Sequence, residues 1–253
     1  MRKLRFFVPQ SNVHDDKIVI DGQEYRHMSK VLRLKLGDKV SVICDDNCIR
    51  ECIVEDMKKD HAVVAVVSTV CTQQTGANIT VYQALIKSEP LSFAVQKCTE
   101  LGVTSFVPYN SQYGVIVDKG QIQDRLRRIA EASCKQSGRV QNMKIEKTIS
   151  FDQMCQDLAQ YSCVVVAYEK DVTNAKQVLS QLSIKDKIAV VIGSEGGFSK
   201  DEIKQLSLLK NVKFISLGKL ILRAETAVVA LVSAIKYELG EFINEDINAD
   251  TRV

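Results

Sequence analysis

The sequence predicts an α/β protein with a parallel sheet, preceded by a small β-barrel. Up to residue 70, short runs rich in valine and isoleucine alternate with turn residues and no long helix intervenes, which is typical of a barrel. From Ile79 onwards, apolar runs alternate with amphipathic segments, the pattern of strands joined by helices in a parallel sheet. We therefore predict a barrel domain at 1–70, a linker at 71–78, an α/β domain at 79–240 and a disordered tail at 241–253.

The composition is that of a globular protein and excludes several classes. The 253 residues are 45% hydrophobic and 26% charged, which is sufficient for a sizeable core. The net charge of +3 is too small to establish nucleic-acid binding. No apolar run approaches the length of a membrane span, so we expect a cytoplasmic protein without membrane contact.

Cysteine and histidine usage narrows the chemistry further. The eight cysteines contain no C-x-x-C pair, so we expect no metal site and mostly small buried thiols in a reducing compartment. The three histidines, His14, His27 and His61, all precede the α/β domain. A Ser-His-Asp or Cys-His hydrolase site built within that domain is therefore excluded.

The barrel domain has four predicted strands and one helical candidate. The helical candidate is Tyr25–Leu32, with His27 and Lys30 near its exposed face. The strands are bounded by turn-like residues such as Asp21-Gly22 and Gly37-Asp38. They are predicted at Lys17–Ile20, Lys39–Cys44, Cys48–Val54 and His61–Val70.

The α/β domain alternates strands and helices to its end. Strands are predicted at Ile79–Ile86, Val103–Val107 (closed by Pro108), Cys163–Ala167, Ile188–Ile192 and Val212–Leu217. Helices are predicted from near Pro90 to Gly102, at Gln121–Ser137, Phe151–Gln160 and Ala175–Leu182, from a capping box at Ser199, and at Thr226–Leu239. The last helix has apolar residues on more than one side, so it is expected to be buried nearly all round, within the core or against a second subunit.

The loop after Ile192 is the strongest local signal for a ligand site. It reads Gly193-Ser194-Glu195-Gly196-Gly197, and its glycines permit positive φ and close backbone approach. It lacks the Lys-Ser/Thr pair of a phosphate loop, and Glu195 would repel a triphosphate. A glycine-rich strand end with a carboxylate suits the ribose, adenine and sulfonium of S-adenosylmethionine. A plain tight turn is the alternative.

Two motifs carry a resemblance to a known family. GSEGGFSKDE followed by LGKLILRAETA resembles the paired signature of the RsmE family, SPOUT-class methyltransferases that act on uridine N3 in small-subunit ribosomal RNA. HMSKVLRLKLGD, QKCTELGV and EASCKQSGR extend the resemblance over nearly the whole chain. The sequence departs from the family at Ser194, where the family usually has proline, and at Gln141-Asn142-Met143, where it usually has a proline before the next strand.

The resemblance implies a fold and partners that the residue patterns alone do not. It implies a PUA-like barrel, a SPOUT-type parallel sheet with a C-terminal trefoil knot, and a homodimer formed through the last helix. The partner is small-subunit ribosomal RNA, within an assembled small subunit. The basic residues of the barrel domain then become an RNA-facing edge rather than a solvated surface. The residues expected to bind RNA are Arg5, Arg26, His27, Lys30 and Arg33.

The resemblance also assigns roles around the two motifs. Arg223 would stabilise the uridine anion with two donors, and Glu195 or Glu225 would accept the N3 proton or orient Arg223. The alternative for Glu225 is a favourable interaction with a helix N-terminus. No metal is required. The residues expected to enclose S-adenosylmethionine are Ile192, Gly193, Glu195, Gly196, Gly197, Leu217, Gly218, Ile221, Leu222 and Ala227.

Other functions remain open at this point. A non-catalytic RNA-binding or ribosome-assembly factor of the same fold would bind RNA without cofactor affinity. A SPOUT methyltransferase acting on another RNA nucleotide is a further alternative, because the sequence alone does not identify the target nucleotide. A nucleotide-dependent enzyme such as a small dehydrogenase is disfavoured, because G-x-G-x-x-G is missing and Glu195 is present.

Overall fold

The computed structural model describes residues 4–44, 46, 48–71, 76–116, 118, 121–170 and 173–242. The chain forms two compact units, which are described separately. The first comprises Met1–Thr75 and Cys134–Asn142, and the second comprises Gly76–Ser133 and Met143–Val253. The predicted linker lies partly, and the predicted tail mostly, outside the described residues.

The first unit is built on a six-stranded sheet. Its strands are β1 (Arg5–Phe7), β2 (Val13–His14), β3 (Lys17–Ile20), β4 (Lys39–Ile43), β5 (Cys48–Met57) and β6 (Ala62–Cys71). Their order is β1-β4-β5-β6-β3-β2. Only β1 and β4 pair in parallel, and the other pairs are antiparallel. The four strands predicted from the sequence are confirmed, with β1 and β2 added.

Alternation along the strands builds the core of this unit. Along β5, alternate residues from Cys48 to Val54 face inward. Phe6, Ile18 and Val42 are fully buried and form one apolar cluster with Cys52 and Val54 of this strand. The helical candidate is present as α1 (Gly22–Arg26), followed directly by a π-helical turn at His27–Val31.

One expectation about the cysteines needs correction. Cys48 and Cys71 form a disulfide, whereas small buried thiols were expected. The two residues are 23 positions apart in sequence but lie directly opposite each other in the β5–β6 register. Spacing arguments could not find this pair, because strand pairing creates it. The other cysteines are reduced, and Cys44, Cys52, Cys98 and Cys134 are buried as expected.

The second unit is built on a seven-stranded sheet, and every recorded pairing in it is parallel. The strands are β7 (Asn78–Ala84), β8 (Ser105–Asn110), β9 (Lys144–Ile145), β10 (Ile149–Ser150), β11 (Cys163–Ala167), β12 (Lys187–Ile192) and β13 (Val212–Ile215). The order is β10-β8-β7-β12-β11-β13, and β9 also pairs with β8. The predicted parallel sheet is confirmed. The knot is not tested by these pairings and stays a prediction.

Helices cover both faces of this sheet. They are α2 (Ser88–Glu100), α3 (Ile122–Ser137), α4 (Phe151–Leu158), α5 (Ala175–Leu179), α6 (Lys200–Ser207) and α7 (Ala224–Glu238). The core on one face includes Val81, Val190 and residues of α2 and α7. The core on the other face includes Val191, Val166 and residues of α4 and α6. In the described part of the chain, no helix is long and apolar enough to cross a membrane.

Pro108 does not end its strand as predicted but lies inside β8. The carbonyl of Phe106 accepts a hydrogen bond from the Glu146 amide, so the backbone polar groups of Phe106 point towards β9. The backbone of Pro108, two residues further along, is directed to the same edge of β8, which faces β9 and β10. β9 pairs with β8 only up to Phe106, and β10 begins pairing at Tyr109. Pro108 therefore falls between the two short strands, where its missing N–H breaks no ladder.

The last helix is only partly buried within the single chain. Within one chain, α7 buries Val228, Leu231 and Ile235 against the core but leaves Thr226 and Tyr237 exposed. Its small residues Ala230, Ser233 and Ala234 are half-buried. The single chain therefore does not enclose α7 as an internal core helix, and the alternative, burial against a second subunit, stays a prediction.

Candidate functional site

The two signature loops leave the sheet at the same edge. β11 lies between β12 and β13, and Ala167 pairs with Ile192 on one side and with Ile215 on the other. Because all three strands are parallel and in register, the loops after β12 and β13 both emerge at the carboxyl edge. Adjacent strands lie about 4.8 Å apart, so the loops straddle β11 at about 10 Å. Ligands of open α/β sheets bind at this edge.

The first loop is a tight turn. The Gly197 amide donates to the Ser194 carbonyl at 2.9 Å, and the Ser194 hydroxyl lies 3.3 Å from the Gly197 carbonyl oxygen. Gly197 has φ of 71°, which a residue with a side chain adopts at a cost. The two predictions for this loop, a tight turn and a ligand site, are therefore compatible, because the turn exposes its backbone at the edge of the sheet.

Two glycines of this loop lie close to neighbouring atoms. A Cβ added at Gly193 would lie 3.1 Å from Phe198 Cε2 and 3.2 Å from the Gly197 carbonyl carbon. A Cβ added at Gly196 would lie 3.1 Å from Tyr113 Cβ. A valine at position 196 would therefore displace the segment around Tyr113. Weaker binding of S-adenosylmethionine by a Gly196→Val variant would thus not show by itself that the cofactor contacts Gly196, because the change also disturbs the protein.

Residues of neighbouring strands hold the end of β12. The Tyr109 hydroxyl donates to the Ile192 carbonyl at 3.0 Å. The Gln83 side-chain amide donates to the Gly193 carbonyl at 3.3 Å, and Gln83 is fully buried. Its Oε1 is buried without a hydrogen-bond partner in the described structure. Sequence reasoning missed both residues, although a glutamine inside the apolar run of β7 was a visible signal.

The segment before Tyr113 is tied to the start of α6. Ser199 and Glu202 form the predicted capping box, with the Ser199 amide 2.8 Å from Glu202 Oε2. The other carboxylate oxygen of Glu202 accepts from the Gln112 amide at 2.9 Å. Glu202 is 4% exposed, so it works as a fixed structural connector. It thereby helps to hold Tyr113 against Gly196.

Glu195 is exposed and anchored at one oxygen. Its Oε1 accepts a hydrogen bond of 3.2 Å from the amide of Lys87, the N-cap of α2. The N-terminus of a helix favours a carboxylate through unpaired N–H groups and the helix dipole. The loop is therefore tied to α2 while the second carboxylate oxygen of Glu195 stays available.

The second loop exposes large apolar side chains. Leu220 is 80% exposed and Ile221 is 85% exposed, whereas Leu217 and Leu222 pack partly against the core. Gly218 has φ of 118° and no heavy atom within 4 Å of a Cβ placed on it. Adjacent exposed apolar residues of this size commonly mark a ligand or a protein interface. Ile221 thus faces solvent within the chain, while Leu222 helps to fix the loop.

Arg223 stands at the entrance to the last helix. It is the N-cap of α7, and its carbonyl accepts from the amides of Thr226 and Ala227. Its side chain is exposed, and no carboxylate of the described residues lies within ion-pair distance of it. Glu225 is half-buried in the first turn, and Ala227 is buried below it.

The expected RNA-facing edge lies in the first unit and has an unusual backbone. The Leu32 amide bonds to the His27 carbonyl in the π-helical turn, and Arg33 has φ of 53°. Arg26, His27 and Lys30 are exposed together with Arg33. π-turns and residues with positive φ are concentrated at functional sites. Arg5 is partly buried and donates to the Gly138 carbonyl, so some of its donors are used within the protein.

Family models match both parts of the chain. The model described as an RNA methyltransferase domain matches residues 73–236. The chain belongs to the RNA methyltransferase family. A second model, described as an RNA methyltransferase PUA domain, matches residues 20–67. This RNA methyltransferase thus pairs a PUA domain with a methyltransferase domain, and the resemblance seen in the sequence motifs is confirmed.

Relatives of this RNA methyltransferase carry a common name. A Bacillus subtilis protein named Ribosomal RNA small subunit methyltransferase E is 29% identical over 87% of this chain and 89% of its own. A Rickettsia conorii protein of the same name is 28% identical over 97% and 99%. The crystal structure of the Neisseria gonorrhoeae protein of that name, bound to S-adenosyl methionine, aligns with a TM-score of 0.78 at 23% identity, over 96% of this chain and 100% of that one.

Proposed function

We propose that this protein uses S-adenosylmethionine to methylate N3 of a specific uridine in small-subunit ribosomal RNA. The observation that carries the proposal is the pair of signature loops on either side of β11 at the carboxyl edge of the sheet. The family match and the name shared by the relatives support ribosomal RNA as the substrate. The cofactor bound to the Neisseria protein supports the choice of methyl donor.

The residues at this edge fit S-adenosylmethionine. A gap of about 10 Å between the loops accommodates an adenosyl group. The backbone approaches closely at Gly193 and Gly196, and the apolar side chains of Ile221 and Leu222 border the second loop. When bound there, S-adenosylmethionine supplies an electrophilic methyl group on a sulfonium centre. Ile192, Gly197, Leu217, Gly218 and Ala227 complete the proposed enclosure.

Arg223 is placed to stabilise negative charge on the target base. Uridine N3 carries a proton and becomes nucleophilic only when that proton leaves. The guanidinium stays charged at any physiological pH and offers two donors to a uracil oxygen. As the N-cap of the 15-residue helix α7, Arg223 also adds its charge to the positive end of the helix dipole.

Glu195 and Glu225 are the two candidates for receiving the N3 proton. Glu195 has one oxygen occupied by the Lys87 amide and one available. Glu225 lies two residues from Arg223 in the first turn of α7, where it can orient the guanidinium. Alignment by the loops supplies the remaining catalysis, because methyl transfer is an in-line displacement that depends on positioning.

The proposal also includes two partners, RNA and a second copy of the chain. The exposed positive edge at Arg26, His27, Lys30 and Arg33 would contact RNA phosphates. The accessible side of α7, with half-buried Ala230 and Ser233 and exposed Tyr237, would pack against a second copy of the chain. The domain limits at 1–70 and 79–240, the knot, the cytoplasmic location and the assembled small subunit as substrate are part of this proposal.

The decisive experiment is labelled methyl transfer to small ribosomal subunits that lack the modification, followed by mapping of the labelled base. The wild-type protein is expected to label one uridine at N3. Arg223→Ala should keep its affinity for S-adenosylmethionine and lose turnover by a factor of about 100 or more. Turnover near wild type would remove Arg223 from the mechanism.

The same assay separates the two carboxylates and the other functions. Loss of the proton acceptor, in Glu195→Gln or Glu225→Gln, is expected to lower turnover by a factor of about 100 with unchanged affinity for S-adenosylmethionine, whereas loss of the other glutamate should have a much smaller effect. RNA binding without affinity for S-adenosylmethionine would favour a non-catalytic assembly factor. A label on a different nucleotide would favour a methyltransferase of other specificity.

A further inference from the structure

A cavity lies in the methyltransferase unit, away from the signature loops. It has a volume of about 580 Å³. Its floor is formed by the amino-terminal halves of β7 and β8, and its walls come from α3, α4 and the segment around β9. Its lining includes Thr80, Tyr161, Lys144, Lys147 and Lys187.

The floor of this cavity is polar where a parallel sheet is normally apolar. Asn78, Thr80 and Tyr82 alternate along β7 and therefore share one face. Strands in the middle of a parallel sheet usually carry apolar residues on both faces, because helices cover both. Farther along the same face, Val166 and Val191 are covered by α4 and α6 in the usual way. The polar floor thus lies on the part of this face that α4 and α6 do not cover.

One hydroxyl group on the floor opens into the cavity. Thr80 is 4% exposed and lines the cavity. Its hydroxyl makes no hydrogen bond with the described residues. Since this hydroxyl lines the cavity and bonds to none of these residues, it is available to a molecule bound there.

The walls carry an excess of positive charge. Arg127, Lys144, Lys147 and Lys187 line the cavity, against two acidic residues, Glu146 and Asp157. Within the described residues, Lys144 and Lys147 have no ion-pair partner. Lys187 is held in place, since its ammonium lies 2.8 Å from Gln160 Oε1 and 4.5 Å from the centre of the Tyr161 ring.

We propose that this cavity binds phosphate groups of the RNA substrate at a stretch distinct from the target uridine. The inference rests on the proposed function, which supplies an RNA partner. Hydroxyl and ammonium groups converging on an uncovered polar surface match a phosphodiester backbone. The cavity is lined near the amino ends of β7 and β8, whereas the signature loops follow carboxyl ends, a separation of about 20 Å for strands of six residues. The cavity therefore anchors the RNA, and the loops act on the base.

The test replaces two positively charged side chains of the cavity by neutral ones, so it removes attraction to RNA without adding a charge that repels it. Lys144→Gln with Lys147→Gln is compared with Lys204→Gln with Lys210→Gln, an equal loss from exposed positions that do not line the cavity. Affinity for a small-subunit RNA fragment is measured across salt concentrations. The cavity pair is expected to weaken binding about tenfold and to reduce the salt slope by about 1.5, and the control pair should change both much less. Equal effects of the two pairs would overturn the proposal.

A charge-neutral variant separates a built site from general attraction. Thr80→Val keeps the shape and strand preference and removes only the hydroxyl. It is expected to lower RNA affinity about threefold with an unchanged melting temperature, and unchanged RNA affinity would count against the site. Inorganic phosphate and uridine monophosphate are titrated in parallel. Binding of either one that depends on Lys144 and Lys147, with RNA affinity unaffected in the variants, would overturn the RNA assignment in favour of a small-anion site.

Calorimetry with S-adenosylmethionine keeps this inference distinct from the proposed function. The cavity variants should bind the cofactor as the wild type does, because their residues lie at the other end of the strands. If no RNA is methylated while RNA binding still depends on Lys144 and Lys147, the proposed function fails and the cavity assignment holds. If methylation proceeds and the cavity variants bind RNA normally, the cavity assignment fails alone.

Discussion

At the scale of single residues, Arg33 combines backbone strain with an expected role in binding RNA. A residue with a side chain in the left-handed region costs about 1 kcal/mol relative to glycine. Arg33 adopts φ of 53° directly after the π-helical turn and exposes its side chain. Strain of this kind persists where the side chain is needed at that position.

Arg33→Gly and Arg33→Ala separate these two properties. Both variants lose the guanidinium, so both should weaken RNA binding to a similar extent and flatten its salt dependence. Only glycine relaxes the backbone, so Arg33→Gly is expected to be more stable than Arg33→Ala by about 1 kcal/mol in urea unfolding. Equal stability of the two variants would show that position 33 is unstrained.

The interaction of Asp46 with Arg50 makes the stability of the first unit depend on pH. Arg50, which donates two hydrogen bonds to its carboxylate, lowers the pKa of Asp46. A carboxyl group whose pKa is lower in the folded state stabilises the fold above its unfolded pKa of about 3.9, and this stability is lost as the pH falls through the folded value. Asp46→Asn should therefore be less stable than wild type at pH 7, with a difference that shrinks towards pH 2. A difference in unfolding free energy that does not vary with pH would exclude this linkage.

At the scale of elements, a buried ion pair joins the end of α7 to the start of β7. The Lys236 ammonium contacts the Glu241 carboxylate, with side chains 9% and 12% exposed. The other oxygen of Glu241 accepts from the Ala77 amide at 2.6 Å. Both partners are thus satisfied, and removal of one leaves the other charge buried without a partner.

Glu241→Gln should therefore destabilise the protein by about 3 kcal/mol. Glu238→Gln is the matched control, because it makes the same change at a nearby exposed position, the last residue of α7. It is expected to alter stability by less than about 0.5 kcal/mol. Chemical unfolding of both variants checks the prediction, and similar small effects would mean that the pair at Glu241 contributes little.

At the scale of the whole molecule, local patterns predicted most elements, but not the contacts between distant segments. The alternating residues of β5 and the capping box at Ser199 are properties of neighbouring residues, so the sequence shows them. The Cys48–Cys71 disulfide, the position of Pro108 inside β8 and the support of Gly193 by Gln83 depend on strand register. Register is decided by packing across the sheet, and a single sequence does not display it.

In the candidate site too, the local motifs could be predicted from the sequence, but the contacts between distant segments could not. The two loops and their glycines were visible as motifs, whereas their position on either side of β11 required the strand order. Tyr113 supports the first loop from a segment about 80 residues away along the chain and belongs to no motif predicted from the sequence. Glu202 ends the first signature motif, but its bond to the Gln112 amide is not visible in that motif. Cys134–Asn142 clusters with the first unit for a similar reason, because a tertiary contact and not a composition shift defines it.

The pairing of β7 with β12 has a consequence for synthesis of the protein. Ile79 lies beside Ile188, so the middle of the sheet joins segments that leave the translating ribosome far apart in time. β7 can pair with β8 early, but its other edge stays open until Ile192 has emerged, which favours slow maturation and a need for chaperones. Stalled nascent chains that expose residues only up to Asp186 should be cleaved rapidly within this unit by protease, and chains that expose the full length should resist. Early resistance would mean that the amino-terminal half of the sheet is stable before its central neighbour arrives.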